Sequence, residues 1–264
     1  MDLELVGRRA LITGSTAGIG YAIARGLAAE GAKVAITGRT QASVDGALAR
    51  LRKDLPKASA EGVAADCASA KGAEEVFARV ADADILVNNL GIYGRMPFFD
   101  IPDAEWQRYF EVNVLSGVRF ARRYAPAMAK RGWGRIIFVS SESGLNIPRE
   151  MIHYGMSKTA QLAVSHGLAM ELACTGVTVN ALLPGPTRTE TTDRLRAERA
   201  KAAGKTVAEI ETDFFNNYRP TSLLRRFTSA EEVANLAVYL CGAGASATSG
   251  AAMRVDGGVV NQIM

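Results

Sequence analysis

The stretch TGSTAGIG, residues 13–20, constrains this chain more than any other. It follows a short apolar run, RALIT (9–13), and opens IGYAIARGLAAEG (19–31), where apolar residues recur at helical spacing before a closing glycine. A strand that passes through a glycine-rich turn straight into a helix is a βα junction built for close approach. Gly14 permits the tight turn, while Gly18 and Gly20 remove Cβ atoms that would keep a ligand off the backbone. The start of the helix offers unpaired N–H groups and a positive dipole end, which suit a pyrophosphate. Gly14, Ser15, Thr16, Gly18, Ile19 and Gly20 are therefore the first candidates for holding a dinucleotide.

The same alternation continues. KVAIT (33–37), EGVAAD (61–66), DILVNN (84–89), GRIIFVSS (134–141) and VTVNALLP (177–184) read as strands, with helices over 41–53, 70–81, 103–130 and 154–174. Apolar, β-branched strands alternating with helices predict a parallel sheet covered on both faces. The expected fold is α/β: a single doubly wound (Rossmann) domain over 1–264, with about seven strands. Hydrophobic residues make up 48% of the chain, enough for one core of that size, and no repeat or linker divides it. Residues 190–227 break the rhythm with a polar, charged segment, helical in two pieces. An insertion after the carboxyl end of a strand lies where open α/β sheets bind ligands, so a substrate lid is expected. Its arginines read better as a solvated helical face than as ligand groups.

Charge and composition exclude several classes. The formal charge of +4 comes from dispersed basic residues, with no block that resembles a nucleic-acid arm. The opening MDLELVGRRALITG lacks a basic region followed by an apolar core, and no apolar run approaches the ~20 residues of a membrane span. Cys67, Cys174 and Cys241 are far apart and in no metal spacing, as expected of free thiols in a reducing cytoplasm. With only His153 and His166 as histidines, no metal site is expected.

The end of the second strand bears on the choice of cofactor. A carboxylate there would accept from the adenosine ribose hydroxyls, but the sequence has Gly38 followed by Arg39. Arg39 can pair bidentately with a 2′-phosphate, which favours NADP(H); read as a plain turn arginine, it leaves NAD(H) open. Asp66, after the third strand, is placed to meet the adenine edge or to serve as a turn aspartate.

In HYGMSKTA (153–160), Tyr154 and Lys158 stand four apart, on one face if the segment is helical. A free phenol, pKa ~10, is poorly matched to neutral pH, and a neighbouring ammonium lowers that value. Spacing alone also admits an ordinary helix surface.

With these pieces placed, the chain resembles the short-chain dehydrogenase/reductase family over essentially its whole length. The family's glycine motif is similar to TGSTAGIG, and its Asn-Asn-Ala-Gly motif to NNLG (88–91), where Leu90 replaces the alanine. The resemblance implies Asn113 as the catalytic asparagine, supporting a water chain to solvent. It implies Ser141, thirteen residues before Tyr154 and in preference to Ser140, as the serine that positions the substrate oxygen. Tyr154 becomes the proton donor or acceptor, and Lys158 its partner and the holder of the nicotinamide ribose. PGPTRT resembles the family's Pro-Gly loop, placing Thr189 near the nicotinamide carboxamide; Asn89, Gly91, Pro184, Gly185 and Thr187 join it as cofactor contacts. ASATSGAAMRVDGG is similar to the family's terminal strand.

The implied activity is hydride transfer between NADP(H) and a carbonyl or secondary alcohol, with 3-oxoacyl-thioester reduction among the options. An NAD-dependent steroid or sugar-alcohol dehydrogenase, a non-catalytic dinucleotide-binding protein, and a lyase or dehalogenase without nicotinamide are the alternatives. The last would need a spoiled glycine loop, and this one is intact. Segment 142–152, the loop after 91 and the lid should shape the substrate pocket. Leu145, Ile147, Met151 and Ile152 point to a partly hydrophobic substrate, against Glu142 and Arg149. Met96, Phe98 and Phe99 are read as core before pocket wall, and His153 and His166 as structural. Family analogy implies a homotetramer or dimer packed through helices 103–130 and 154–174.

Overall fold

Seven parallel strands form one sheet: β1 (Arg9–Ile12), β2 (Lys33–Gly38), β3 (Ala60–Ala64), β4 (Ile85–Asn88), β5 (Gly134–Val139), β6 (Val177–Pro184) and β7 (Ala252–Val255). They lie in the order β3-β2-β1-β4-β5-β6-β7, so the winding reverses between β1 and β4. The computed structural model describes residues 2–263; of the expected 1–264 span, Met1 and Met264 lie outside the described residues. Side chains alternate across the sheet, and both faces are dry. Ile12, Ile36, Val87, Ile137 and Leu182 enter one core layer. Leu11, Ala35, Leu86, Ile136 and Val179 enter the other.

Helices cover each layer. On the first lie α1 (Gly18–Ala29) and α2 (Gln41–Asp54), through Ile23, Leu27 and Leu51. The other layer carries α3 (Ala70–Arg79) through Val76. The helix expected over 103–130 is present but not continuous. It runs as α4 (Asp103–Phe110), a π-helical turn over Glu111–Leu115, and α5 (Ser116–Arg131). Next come α6 (Ile152–Glu171) and two helices after β6, α7 (Glu190–Ala203) and α8 (Val207–Asn217), the two pieces expected of 190–227. A last helix, α9 (Ala230–Cys241), has no counterpart in the sequence reading and completes the first layer through Val233 and Ala237. It packs tightly on α1, where a Cβ built on Gly26 would lie 2.8 Å from Val238.

Strand ends differ from expectation where function begins. β5 stops at Val139, leaving Ser140 and Ser141 beyond the strand: Ser140 N–H makes the last ladder bond to Leu182, and Ser141 caps a short 3-10 turn over Glu142–Gly144. The α7–α8 segment has a small aromatic core of its own. Phe215 and Phe227 are buried with ring centroids 5.2 Å apart, and Arg196 lies 4.2 Å over Phe227. Arg196 and Arg219 are both buried, so the reading of this segment's arginines as a solvated face fails for these two. Arg196 pairs with Asp193 and Glu211, and Arg219 with Glu142.

Candidate active site

The glycine turn lies at the carboxyl ends of β1 and β4, where the winding reverses and open sheets bind ligands. Gly14 and Gly18 take positive φ (62° and 56°), a conformation that costs glycine nothing. A Cβ on Gly20 would fall 2.4 Å from Asn89 Nδ2 and 2.6 Å from the Gly14 carbonyl. Asn89 holds the turn: its Nδ2 donates to the carbonyls of Thr13 (2.9 Å) and Gly14 (3.0 Å). Leu90 packs beside Gly14, where a Cβ would meet its Cδ1 at 3.3 Å.

Ser15 is fully buried, its Oγ donating to the Ile12 carbonyl and accepting from Thr37 N–H. This side chain braces the turn from behind. Thr16 is half-buried, and its carbonyl accepts from Arg50 at 2.7 Å. Ile19 packs on the first core layer.

The N–H of Gly18 carries the clearest sign of what this cradle accepts. It donates to a carboxylate, Glu190 Oε2, at 3.1 Å, and Arg50 pairs with the other oxygen at 3.2 Å. An anionic oxygen thus sits on the glycine turn, and the residues fit a pyrophosphate. Burial pushes the Glu190 carboxyl up, but the backbone N–H groups and Arg50 outweigh it and hold the acid below its usual range.

Around the turn, Gly38 brings no side chain, and a Cβ there would meet Thr16 Cγ2 at 2.5 Å unless Thr16 turned aside. Arg39 and Asp66 are exposed at the ends of β2 and β3, and Asp66 Oδ1 accepts from Ala68 N–H at 3.2 Å. Pro184 ends β6, Gly185 N–H donates to Val255, and the Thr187 hydroxyl is occupied by Gly185 O and Thr228. Thr189 caps α7 with its hydroxyl and lays its methyl 3.1 Å from where a Gly18 Cβ would be.

The catalytic candidates converge from three segments: the π turn, the turn after β5, and α6. Asn113 lies in the π turn, fully buried; its Oδ1 accepts from Ile92 N–H at 2.8 Å and its Nδ2 donates to Ile92 O and Ser157. Its main-chain carbonyl accepts from Gln161 Nε2 at 2.7 Å. A Cβ on Gly91 would sit 3.3 Å from Lys158 Nζ and 3.5 Å from Asn113 Oδ1. Ser140 faces away, its Oγ donating to the Lys158 carbonyl, while Ser141 is the hydroxyl beside Tyr154.

Lys158 Nζ sits 5.7 Å from the Tyr154 ring centre and donates to Val139 O and Gln161 Oε1. The expected lowering of the Tyr154 pKa by this ammonium does not hold. Burial pushes the phenol up, against the Ser141 hydroxyl, with Glu142 and Tyr93 adding to the rise. Burial also pushes the ammonium of Lys158 down to about 7. His153 is buried edge-on against Tyr109 (4.2 Å between ring centres), and His166 Nδ1 lies 3.0 Å from Gly250 O.

Next to Ser141, Glu142 is buried and paired with Arg219 from the end of α8 at 2.8 Å. The loop after β4, the segment after β5 and the end of α8 enclose a cleft of about 750 Å³. Arg95, Arg149, Arg219, Asn146, Asn217 and Glu150 line it, together with Met96. Pro97, Pro148 and Tyr218 complete the lining, which is mixed in polarity; of the apolar residues expected there, Met151 is buried and Ile147 is exposed. Phe98 and Phe99 are 49% and 96% exposed, so neither belongs to the core. Sequence reasoning missed Gln161, Glu190 and Arg219; the i,i+3 spacing of Gln161 from Lys158 was the available signal for the first. No group of acidic, histidine or cysteine side chains fit for a metal occurs among the described residues, and no helix there is long and apolar enough to cross a membrane.

Comparison with known proteins gives concordant matches. Residues 14–260 match the family described as enoyl-(acyl carrier protein) reductase. The uncharacterized oxidoreductase YvaG of Bacillus subtilis is 43% identical over 263 residues, covering 100% of both chains. D-beta-hydroxybutyrate dehydrogenase of Rhizobium meliloti is 33% identical over 255 residues, 95% of this chain and 98% of its own. L-sorbose reductase from Gluconobacter frateurii, solved in complex with NADPH and L-sorbose, superposes with a TM-score of 0.94 at 32% identity, covering 100% of each chain.

Proposed function

The chain belongs to the short-chain dehydrogenase/reductase family of oxidoreductases, and from that premise we propose that it interconverts a polar carbonyl compound and its secondary alcohol with NADP(H). The observation that carries this reading is the meeting of Ser141, Tyr154 and Lys158 with the glycine turn at the carboxyl ends of the strands. When bound, the dinucleotide supplies or takes up a hydride. Gly14, Gly18 and Gly20 cradle its phosphates, Arg39 pairs with the 2′-phosphate, and Asp66, Asn89, Gly91, Pro184, Gly185, Thr187 and Thr189 surround the rest. Ser141 donates a hydrogen bond to the substrate oxygen, and Tyr154 gives that oxygen its proton as charge develops on it. A phenol held protonated by burial suits the reductive direction.

The arginines and asparagines of the cleft, Arg95, Arg149, Asn146 and Asn217, support a substrate with hydroxyl or carboxylate groups, such as a ketose or short oxo acid, while Met96, Pro97 and Tyr218 leave room for an apolar portion. Residues 2–263 act as one catalytic unit in this reading, with α7 and α8 as the lid. It works in the cytoplasm, where Cys67, Cys174 and Cys241 stay unpaired. Exposed Phe110 on α4 and Met170 on α6 fit a homotetramer or dimer formed through those helices.

The test is fluorescence titration with NADPH and NADH, followed by a panel of ketoses, oxo acids, 3-oxoacyl thioesters and steroid ketones. Arg39→Ala should weaken NADPH roughly 10- to 100-fold and leave NADH unchanged. Tyr154→Phe should cut turnover about 10²–10⁴-fold. Binding of neither nucleotide would remove this reading.

A further inference from the structure

The side chain of Lys158 is 4% exposed, and its two hydrogen bonds go to neutral acceptors, Val139 O at 2.9 Å and Gln161 Oε1 at 3.0 Å. An ammonium has three N–H donors, and two of these are consumed on the side of β5 and the helix interior. Gln161 is 1% exposed and turns its other end, Nε2, to the main-chain carbonyl of Asn113 at 2.7 Å. That carbonyl belongs to the π turn, where Ser116 N–H reaches back five residues to Glu111 and the usual i→i−4 ladder is displaced. A carbonyl displaced from the ladder can accept from outside its own helix. One buried carboxamide therefore bridges the irregular turn of one helix and the ammonium on another.

We infer that Gln161 is a positioning residue for the reaction: its carboxamide clamps the Lys158 ammonium to the π turn and leaves one N–H free on the side of Tyr154 and Gly91. The inference rests on the oxidoreductase reading for its relevance to turnover, but the clamp itself belongs to the chain without ligand. Tyr154 faces Lys158 from its own helix, Val139 from β5, Asn113 from the π turn and Gly91 from the loop after β4. The nearby charges, Glu142 and Arg219, act on Tyr154. With no carboxylate partner in the ammonium's hydrogen bonds, the carboxamide oxygen is the side-chain acceptor that favours its charged form.

Uniform ¹⁵N-lysine labelling of the ligand-free protein, with the Lys158 Nζ signal identified by its loss in Lys158→Met, reads the clamp directly. Gln161→Leu, which keeps the volume and removes the acceptor, should lower the Nζ titration midpoint by about one pH unit. Gln161→Glu, isosteric and anionic, should raise it by a similar amount. NADPH affinity and the pH profile of kcat should move with the same signs, while KM for the carbonyl substrate changes little. A role confined to packing would shift the melting temperature and leave the midpoint in place. Unmoved midpoints in variants that keep the wild-type circular dichroism would overturn the inference. If Gln161→Leu does not fold, the isosteric Gln161→Glu decides alone. Should Lys158→Met keep full turnover, the catalytic reading of Lys158 fails instead, and the titration still reports on the clamp.

Discussion

Tyr154 and Lys158 share one helix face, yet the same burial moves them in opposite directions. It disfavours the phenolate and the ammonium alike, so the phenol rises and the ammonium falls to about 7. The sign on stability follows. Between about 7 and its ordinary 10.5, the lysine binds a proton in the unfolded chain that the native state lacks, so its contribution makes stability rise with pH. Cys67 and Cys241, pushed up to about 11 and about 12 from 9.0, pull the other way only above pH 9. Urea denaturation should therefore show stability increasing from pH 7 to pH 9, and Lys158→Met should flatten the rise; an equal slope in the variant would refute the assignment. Spacing made the Tyr154–Lys158 pair legible in the sequence. The direction of the phenol's shift was not legible, because Glu142 and the depth of burial come from tertiary packing.

At the scale of elements, regular patterns were read well and irregular ones were not. The strands declared themselves by apolar runs, and the glycine turn by its place between β1 and α1. The π turn left no such mark, since Glu111–Leu115 continues the helical periodicity of its neighbours while the backbone gains one residue. Helix α9 had a usable signal that went unread: Ser229 and Glu232 form a capping box ahead of an apolar run. The arginines of 190–227 misled because charge along a helix is usually solvated, and burial of Arg196 depends on Phe227, which lies after α8.

Over the whole molecule, the α7–α8 segment is tied to the body at both ends of its helical pair. At the far end, Arg219 neutralises Glu142 in a buried pair beside Ser141. Removing one partner leaves the other charge without compensation, so Arg219→Met should cost about 3–5 kcal/mol, most of it recovered in Arg219→Met/Glu142→Gln. Denaturant melts of the two proteins measure this, and a single variant within 1 kcal/mol of wild type would show that the pair contributes little. This link was illegible in the sequence, where the partners stand 77 residues apart.

The near end of the α7–α8 segment has a kinetic meaning. Glu190 rests on the Gly18 N–H and on Arg50, on the turn to which the proposed function assigns the cofactor phosphates. A tethered carboxylate is a competitor at fixed effective concentration, one that no dilution removes. The affinity measured for a nucleotide is then a difference between two anions. Glu190→Gln should tighten NADPH binding severalfold, with most of the gain in the association rate, although Glu190 need touch no part of the nucleotide.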